Sequence, residues 1–287
     1  MSVERVDLYV RFSIYCLVGI CVCTASAICI VIFLSKEFRS KYLMFLALSI
    51  AELSNGFSIL VAGIFRMLFL VRGQFLVEVH SRVCFFATPW PIMMLFAGQF
   101  PSFLTLMIAI ERVLAVESAT WYRYAWKNRH RLYFIGVALA LTTAFISLAA
   151  VLNASNDRIL TSRMCTTSHT NGRAYATAHH LFTSAAYIFS LVVLIRISIK
   201  MSKGHDPSPD EIRRQKMVLT ITGISVALVS IPNVAVVIDD WDVVHFGELI
   251  TGIIYCMYGM HSGFSIFVYA TFRPDFRTRL LSMIGVK

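Results

Sequence analysis

Residues 11–34 read RFSIYCLVGICVCTASAICIVIFL, one arginine followed by twenty-three residues without a charge. A helix rises 1.5 Å per residue, so the uncharged part extends about 35 Å, enough to cross a hydrocarbon core of roughly 30 Å. Similar runs recur at 43–70, 84–113, 132–152, 175–199, 217–238 and 246–270. They are long and continuously apolar, without the period-two alternation of a barrel strand, so each is read as a helix. The composition agrees: 57% of the 287 residues are hydrophobic and 15% charged, against roughly a quarter charged in a soluble domain. The expectation is an all-α membrane protein, a bundle of seven transmembrane helices forming a single domain over 1–287, with no repeat or linker. Glu4 and Asp7 precede the first run and no small-residue cleavage site closes it, so it is expected to remain as an anchor.

The formal charge of +10 raises the question of nucleic acid, and its distribution answers it. Eighteen of the 26 basic residues fall in 36–41, 112–131, 196–216 and 273–287, all on one side of the proposed bundle. The other eight, which include Arg11 and Arg66, are cancelled by acids on the opposite side. Basic loops face the cytosol, which places the amino terminus outside and the carboxyl terminus inside. The excess is a topology signal, and nucleic acid is not an expected partner. Cys16, Cys21, Cys23, Cys29 and Cys256 lie within apolar runs and read as small hydrophobes, not as metal ligands. Cys84 and Cys165 fall near outer ends, where a disulfide is permitted. No cofactor or metal is implied, and no catalytic set is present.

The most informative local stretch is Ile110-Glu111-Arg112-Val113, at the cytosolic end of the third run and followed by Tyr122-Arg123-Tyr124. An arginine beside a glutamate at the membrane boundary can be held in one state and released in another, and Arg keeps its charge throughout. Arg112 can equally be one more positive-inside residue. Here the sequence resembles the rhodopsin-like G-protein-coupled receptors, whose third helix ends in an acid-Arg-aromatic triplet; Val113 departs at the third position. Leu48-Ser49-Ile50-Ala51-Glu52 is similar to the family's Leu-x-x-Ala-Asp, with Glu for Asp. Pro232 matches the sixth helix's proline, with Ser230 where the family has Trp. Ser265-Ile266-Phe267-Val268-Tyr269 keeps the Tyr of Asn-Pro-x-x-Tyr without its Asn and Pro, and Phe276-Arg277 resembles the start of a short amphipathic eighth helix. The second helix, Cys84 through Gln99 and Ile108–Arg112 look most like nematode chemoreceptors of the Srsx type.

The resemblance implies a multi-pass plasma-membrane receptor, with a sensory cilium as one setting, that binds an extracellular ligand and activates a heterotrimeric G protein. Glu111, Arg112, Pro232 and Tyr269 become the activation switch, with Glu211 as a closed-state partner for Arg112 or an ordinary loop acid. It also implies a Cys84–Cys165 bridge. Glu52 is expected to cluster with His261 and Ser265, or else to be protonated against backbone. By position, a small-molecule or peptide ligand would meet Trp90, Met93, Met94, His179, His180, Asn233, Tyr255 and Tyr258, any of which can equally be packing. Met94 stands where amine receptors carry Asp, and residues 246–270 hold no Lys for a retinal linkage. Asp239, Asp240, Asp242 and Glu248 read as an acidic outer rim, and Asn153-Ala154-Ser155 as a glycosylation sequon. A neuropeptide receptor of the same fold is the alternative. A transporter or channel would need charges along a path or related halves of the chain.

Overall fold

A computed structural model describes residues 3–155, 157–203, 209–283 and 285, without the side chains of Val3, Glu4, Lys203 and Glu248. Among the described residues, seven helices are long and apolar enough to cross a membrane. They are α1 (Val3–Leu34), α3 (Leu43–Val71), α5 (Trp90–Glu117), α7 (Asn128–Ser155), α9 (Arg173–Lys203), the continuous pair α10 (Pro209–Ser225) and α11 (Ile231–Asp240), and α12 (Glu248–Phe272). Short helices α2 (Lys36–Arg39), α4 (Ser81–Phe86), α6 (Ala119–Ala125) and α8 (Thr167–Asn171) lie in the connections, and α13 (Pro274–Met283) follows the last span. Two-residue strands β1 (Val79–His80) and β2 (Ile159–Leu160) pair antiparallel across two of those connections.

Prolines account for the two departures from the expected spans. The third run does not begin at Cys84. Pro89 restricts Thr88 away from helical geometry, and Pro91 suits a first turn, where its missing N–H is not needed. The chain therefore makes the short α4, breaks at 87–89 and starts α5 at Trp90. Pro101 stays inside α5. In the sixth span, Val226–Ser230 form a π-helical turn immediately before Pro232 in the first turn of α11. Pro232 cannot donate to the preceding turn, and a widened turn is one way a helix absorbs that loss.

Lipid tails are as apolar as leucine, so helices associate here through close packing and internal polar contacts. α1 and α3 approach so closely that a Cβ on Gly19 would sit 2.8 Å from the Leu60 Cα, and one on Gly56 2.9 Å from the Cys23 amide. At the basic end, Phe33, Phe45, Tyr269 and Phe276 make one aromatic cluster. Phe276 is fully buried in it, docking α13 against α1 and α12.

Gly19→Leu is expected to cost about 1–3 kcal/mol, because the obstructing atoms are backbone and cannot yield. Gly136→Ala, where a Cβ meets nothing within 4 Å, should be neutral or slightly stabilising. Thermal unfolding of the detergent-solubilised protein checks both signs.

Candidate functional site

At one end of the bundle Cys84 on α4 is bonded to Cys165, with Cα atoms 5.5 Å apart. Because the chain breaks before Trp90, Cys84 belongs to α4 and not to the third span. The bridge, the β1–β2 pair and α8 together set the segment between α7 and α9 over the mouth of the bundle. Asp157 ties this lid to α4, taking bonds from the Arg82 amide, Ser81 Oγ and, at 3.0 Å, the His80 ring. Desolvation pushes its carboxyl up, but these bonds more than offset that and hold it below the ordinary aspartate range. On the acidic rim, Asp242 binds Arg173 at 2.8 Å and Asp239 accepts from the Phe246 amide at 3.1 Å; the Glu248 side chain lies outside the described residues.

Beneath the lid is a cavity of about 50 Å³. Met94 of α5, His179 and His180 of α9, Asn233 of α11, and Tyr255 and Tyr258 of α12 all line it. Two expected members do not. Trp90 is fully buried between Phe65, Phe69 and Arg66, because it opens a helix that the proline break turned against α3. Met93 is one residue round the helix from Met94 and is not part of the lining. In their place α3 contributes Asn55, Ser58, Ile59 and Arg66. The polar residues of that helix carried no motif signal apart from Glu52, and Arg66 had been counted among the outer-side bases. It is in fact 2% exposed, with Nε donating to the Met164 carbonyl at 2.8 Å and its guanidinium over Trp90 and Tyr15. Arg11 is similarly buried, donating to the Tyr15 hydroxyl at 2.9 Å. Both arginines are held within the bundle by rings and polar groups.

The expected sequon meets the opposite fate. Asn153 is fully buried, and its Nδ2 donates to the Thr170 carbonyl at 2.5 Å and the Ser81 carbonyl at 3.3 Å. It fastens α7 to the lid, and a glycan there would have to displace both bonds.

Midway along the bundle, the Ser265 hydroxyl donates to Glu52, which is 2% exposed. Where the family pairs Asp with Asn, this chain has a longer acid facing a shorter partner. His261 does not join them. Its Nδ1 lies 2.6 Å from the Tyr258 carbonyl and its Nε2 3.4 Å from Ser262 Oγ. Being four residues before Ser265, it is one turn nearer the lid. There Asn55 completes a second cluster, donating to Ser262 Oγ at 3.0 Å.

At the basic end Glu111 is fully buried, and one of its oxygens accepts two hydrogen bonds, from Tyr122 and Arg131, and forms closer or looser ion pairs with three arginines. The Tyr122 hydroxyl lies at 2.6 Å, Arg131 Nε at 2.9 Å, Arg112 at 3.3 Å and Arg214 at 3.6 Å. Tyr122 also accepts from Arg112 at 3.1 Å. The acid of α5 is thus the hub, and the helix-six side supplies a base, Arg214. Glu211 was the expected partner of Arg112. It borders the adjoining cavity of about 430 Å³, as do Arg112, Arg131 and Arg214. Tyr269 does not border it, since its ring is fully buried among Phe33, Phe45 and Phe276. Arg273, unremarked in the sequence, spans from α12 to Asp210 of α10 at 3.4 Å and lies over the Tyr42 ring.

A seven-helix bundle with a bridged lid over one cavity and an arginine-glutamate hub beside a second describes a serpentine receptor. Residues 48–284 match the family model described as "Serpentine type 7TM GPCR chemoreceptor Srsx", and the chain belongs to that family. No curated protein matches it.

The burial of Asn153 has a direct check. When the protein is expressed in glycosylating cells, treatment with peptide N-glycosidase F should leave its gel mobility unchanged; a faster band would contradict that burial.

Proposed function

We propose that this chain is a chemosensory receptor in the plasma membrane that couples an external ligand to a cytosolic heterotrimeric G protein. In this reading the lidded end faces outward and the basic end faces the cytosol, as the distribution of Lys and Arg requires. The observation that carries the reading is the Glu111 hub, because it joins α5 to α10 at the end where a G protein would dock.

Three cations around one carboxylate attract it and repel one another. Arg214 is the most distant of the three, so it is the contact that yields first. Swinging α10 away removes Arg214 and leaves Glu111 still paired with Arg112 and Arg131. The outer cavity touches the same span through Pro232, Asn233 and Val236, just beyond the π turn at 226–230. A ligand that fits the cavity better with α11 displaced would therefore favour the open arrangement at the other end. Differential affinity for two arrangements is all that coupling requires.

Cavity size bears on the ligand. A water needs roughly 10–15 Å³ of such volume, so about 50 Å³ admits only a few non-hydrogen atoms. That supports a small molecule over the neuropeptide alternative. Arg11 and Arg66 are buried at the lidded end, Arg112 and Arg273 at the basic end, and between them Glu52 is the one charged side chain of the interior among the described residues, which does not favour the transporter reading.

Glu111→Gln removes the only acid of the hub and should raise ligand-independent nucleotide exchange by roughly fivefold or more, the scale of a 1–3 kcal/mol coupling. Arg214→Ala should raise it less. Arg112→Ala, measured in membranes with added G protein, should abolish ligand-driven exchange; undiminished exchange would refute the role given to Arg112.

A further inference from the structure

The two adjacent histidines of α9 are each tied to a different amide. Gln99 of α5 places its Nε2 3.0 Å from Nδ1 of His179. With the amide in this orientation its nitrogen donates, so Nδ1 of His179 accepts and the neutral ring carries its proton on Nε2. Asn233 of α11 places its Oδ1 2.9 Å from Nδ1 of His180. A carbonyl oxygen only accepts, so His180 carries its proton on Nδ1 and keeps a lone pair on Nε2. The orientation of Asn233 is fixed from behind. Its Nδ2 donates to Ser184 Oγ at 3.3 Å, and that hydroxyl's own proton goes to the His180 carbonyl at 2.8 Å. Both rings line the cavity, 5.1 Å apart and edge to face. Gly98 leaves the first of them uncovered: a Cβ there would lie 3.2 Å from His179 Nε2 and press against the Tyr258 hydroxyl.

We propose that His179 and His180 form a donor–acceptor pair, with opposite tautomers, that binds the uncharged polar head of a small amphiphile such as an alcohol or primary amide. This rests on the receptor reading above and names the ligand class for its outer cavity. A hydroxyl both donates and accepts, so it satisfies the Nε2 proton of His179 and the Nε2 lone pair of His180 together. A carboxylate can only accept and leaves His180 unmet; an ammonium can only donate and leaves His179 unmet. Either mismatch strands a buried polar group, which is how a hydrogen-bonding site rejects an analogue. The apolar tail has Ile59, Met94, Val236 and Ile254 to pack against. Arg66 also borders the cavity, but its Nε is committed to the Met164 carbonyl and its guanidinium to two rings.

The experiment is side-chain nitrogen NMR of the full chain in detergent micelles with ¹⁵N-histidine, titrated with four matched probes: 1-butanol, butyramide, butyrate and butylamine. We expect the proton on Nε2 of His179 and on Nδ1 of His180, and movement of both Nε2 signals with 1-butanol and butyramide only. Gly98→Ala, which keeps every side chain of the pair, should weaken that response at least tenfold. Matching tautomers at the two positions would overturn the proposal. So would a response to butyrate alone, to butylamine alone or to none of the four, or an unchanged response in Gly98→Ala. No G protein is involved in these readouts. A chain that fails to drive nucleotide exchange but shows the predicted signals would refute the receptor reading and leave the binding pair in place.

Discussion

Within a bilayer every backbone N–H and C=O must be satisfied by the chain itself, because no water is present to do it. That requirement makes each apolar run a helix, and it also governs what happens between helices. A polar side chain inside the bundle must find a partner, on its own helix or on another, or remain at a cost of several kcal/mol by order of magnitude. Several buried hydroxyls, such as Thr105, Thr142 and Ser190, return to a carbonyl of their own helix, and other polar groups are met across helices. Glu52 meets Ser265, Asn55 meets Ser262, Gln99 meets His179, His180 meets Asn233, and Gln215 reaches the Leu194 carbonyl.

These contacts are not evenly placed. α1 and α3 are joined mainly by close approach at Gly19, Gly56 and Gly63, a fit between backbones that has one arrangement. The sixth span packs Met217, Val218 and Ile221 into the core and adds polar and ionic contacts, through Asn233 and Ser230 near the π turn and Arg214 and Gln215 at the basic end. Such contacts can be exchanged for others without opening a void, whereas packed backbones cannot separate so cheaply. Both cavities border the sixth span.

Departures from the family's motifs read differently once they are placed in three dimensions. The longer acid Glu52 and the shorter Ser265 still span the gap between α3 and α12. In the Glu111 hub Tyr122 provides the aromatic hydroxyl that Val113 lacks, reaching back from α6. Phe33 and Phe45 enclose Tyr269 in a cluster that Phe276 closes. In each case a neighbouring helix supplies what the motif lost.

Much of this was legible from the sequence. The apolar runs gave seven spans, Glu111-Arg112 and the family resemblance needed only local patterns, and the resemblance in turn implied the Cys84–Cys165 pair. What the sequence could not give were properties of pairs. Asn55 looked like any polar residue until α12 was beside it. Arg66 was one of the outer-side bases until Trp90 and the Met164 carbonyl were seen to lie against it. Asn153 looked like a glycan acceptor until α8 and Ser81 covered it, and Trp90 looked like a pocket residue until Pro89 set the direction of α5. The sequence by itself determined that the chain is helical, how many times it crosses and which end is basic, because hydropathy and charge act residue by residue against a fixed solvent. Only the tertiary structure decided which buried polar groups meet, because a hydrogen bond requires two groups at one distance, and helices set side by side bring together residues more than two hundred positions apart in the chain.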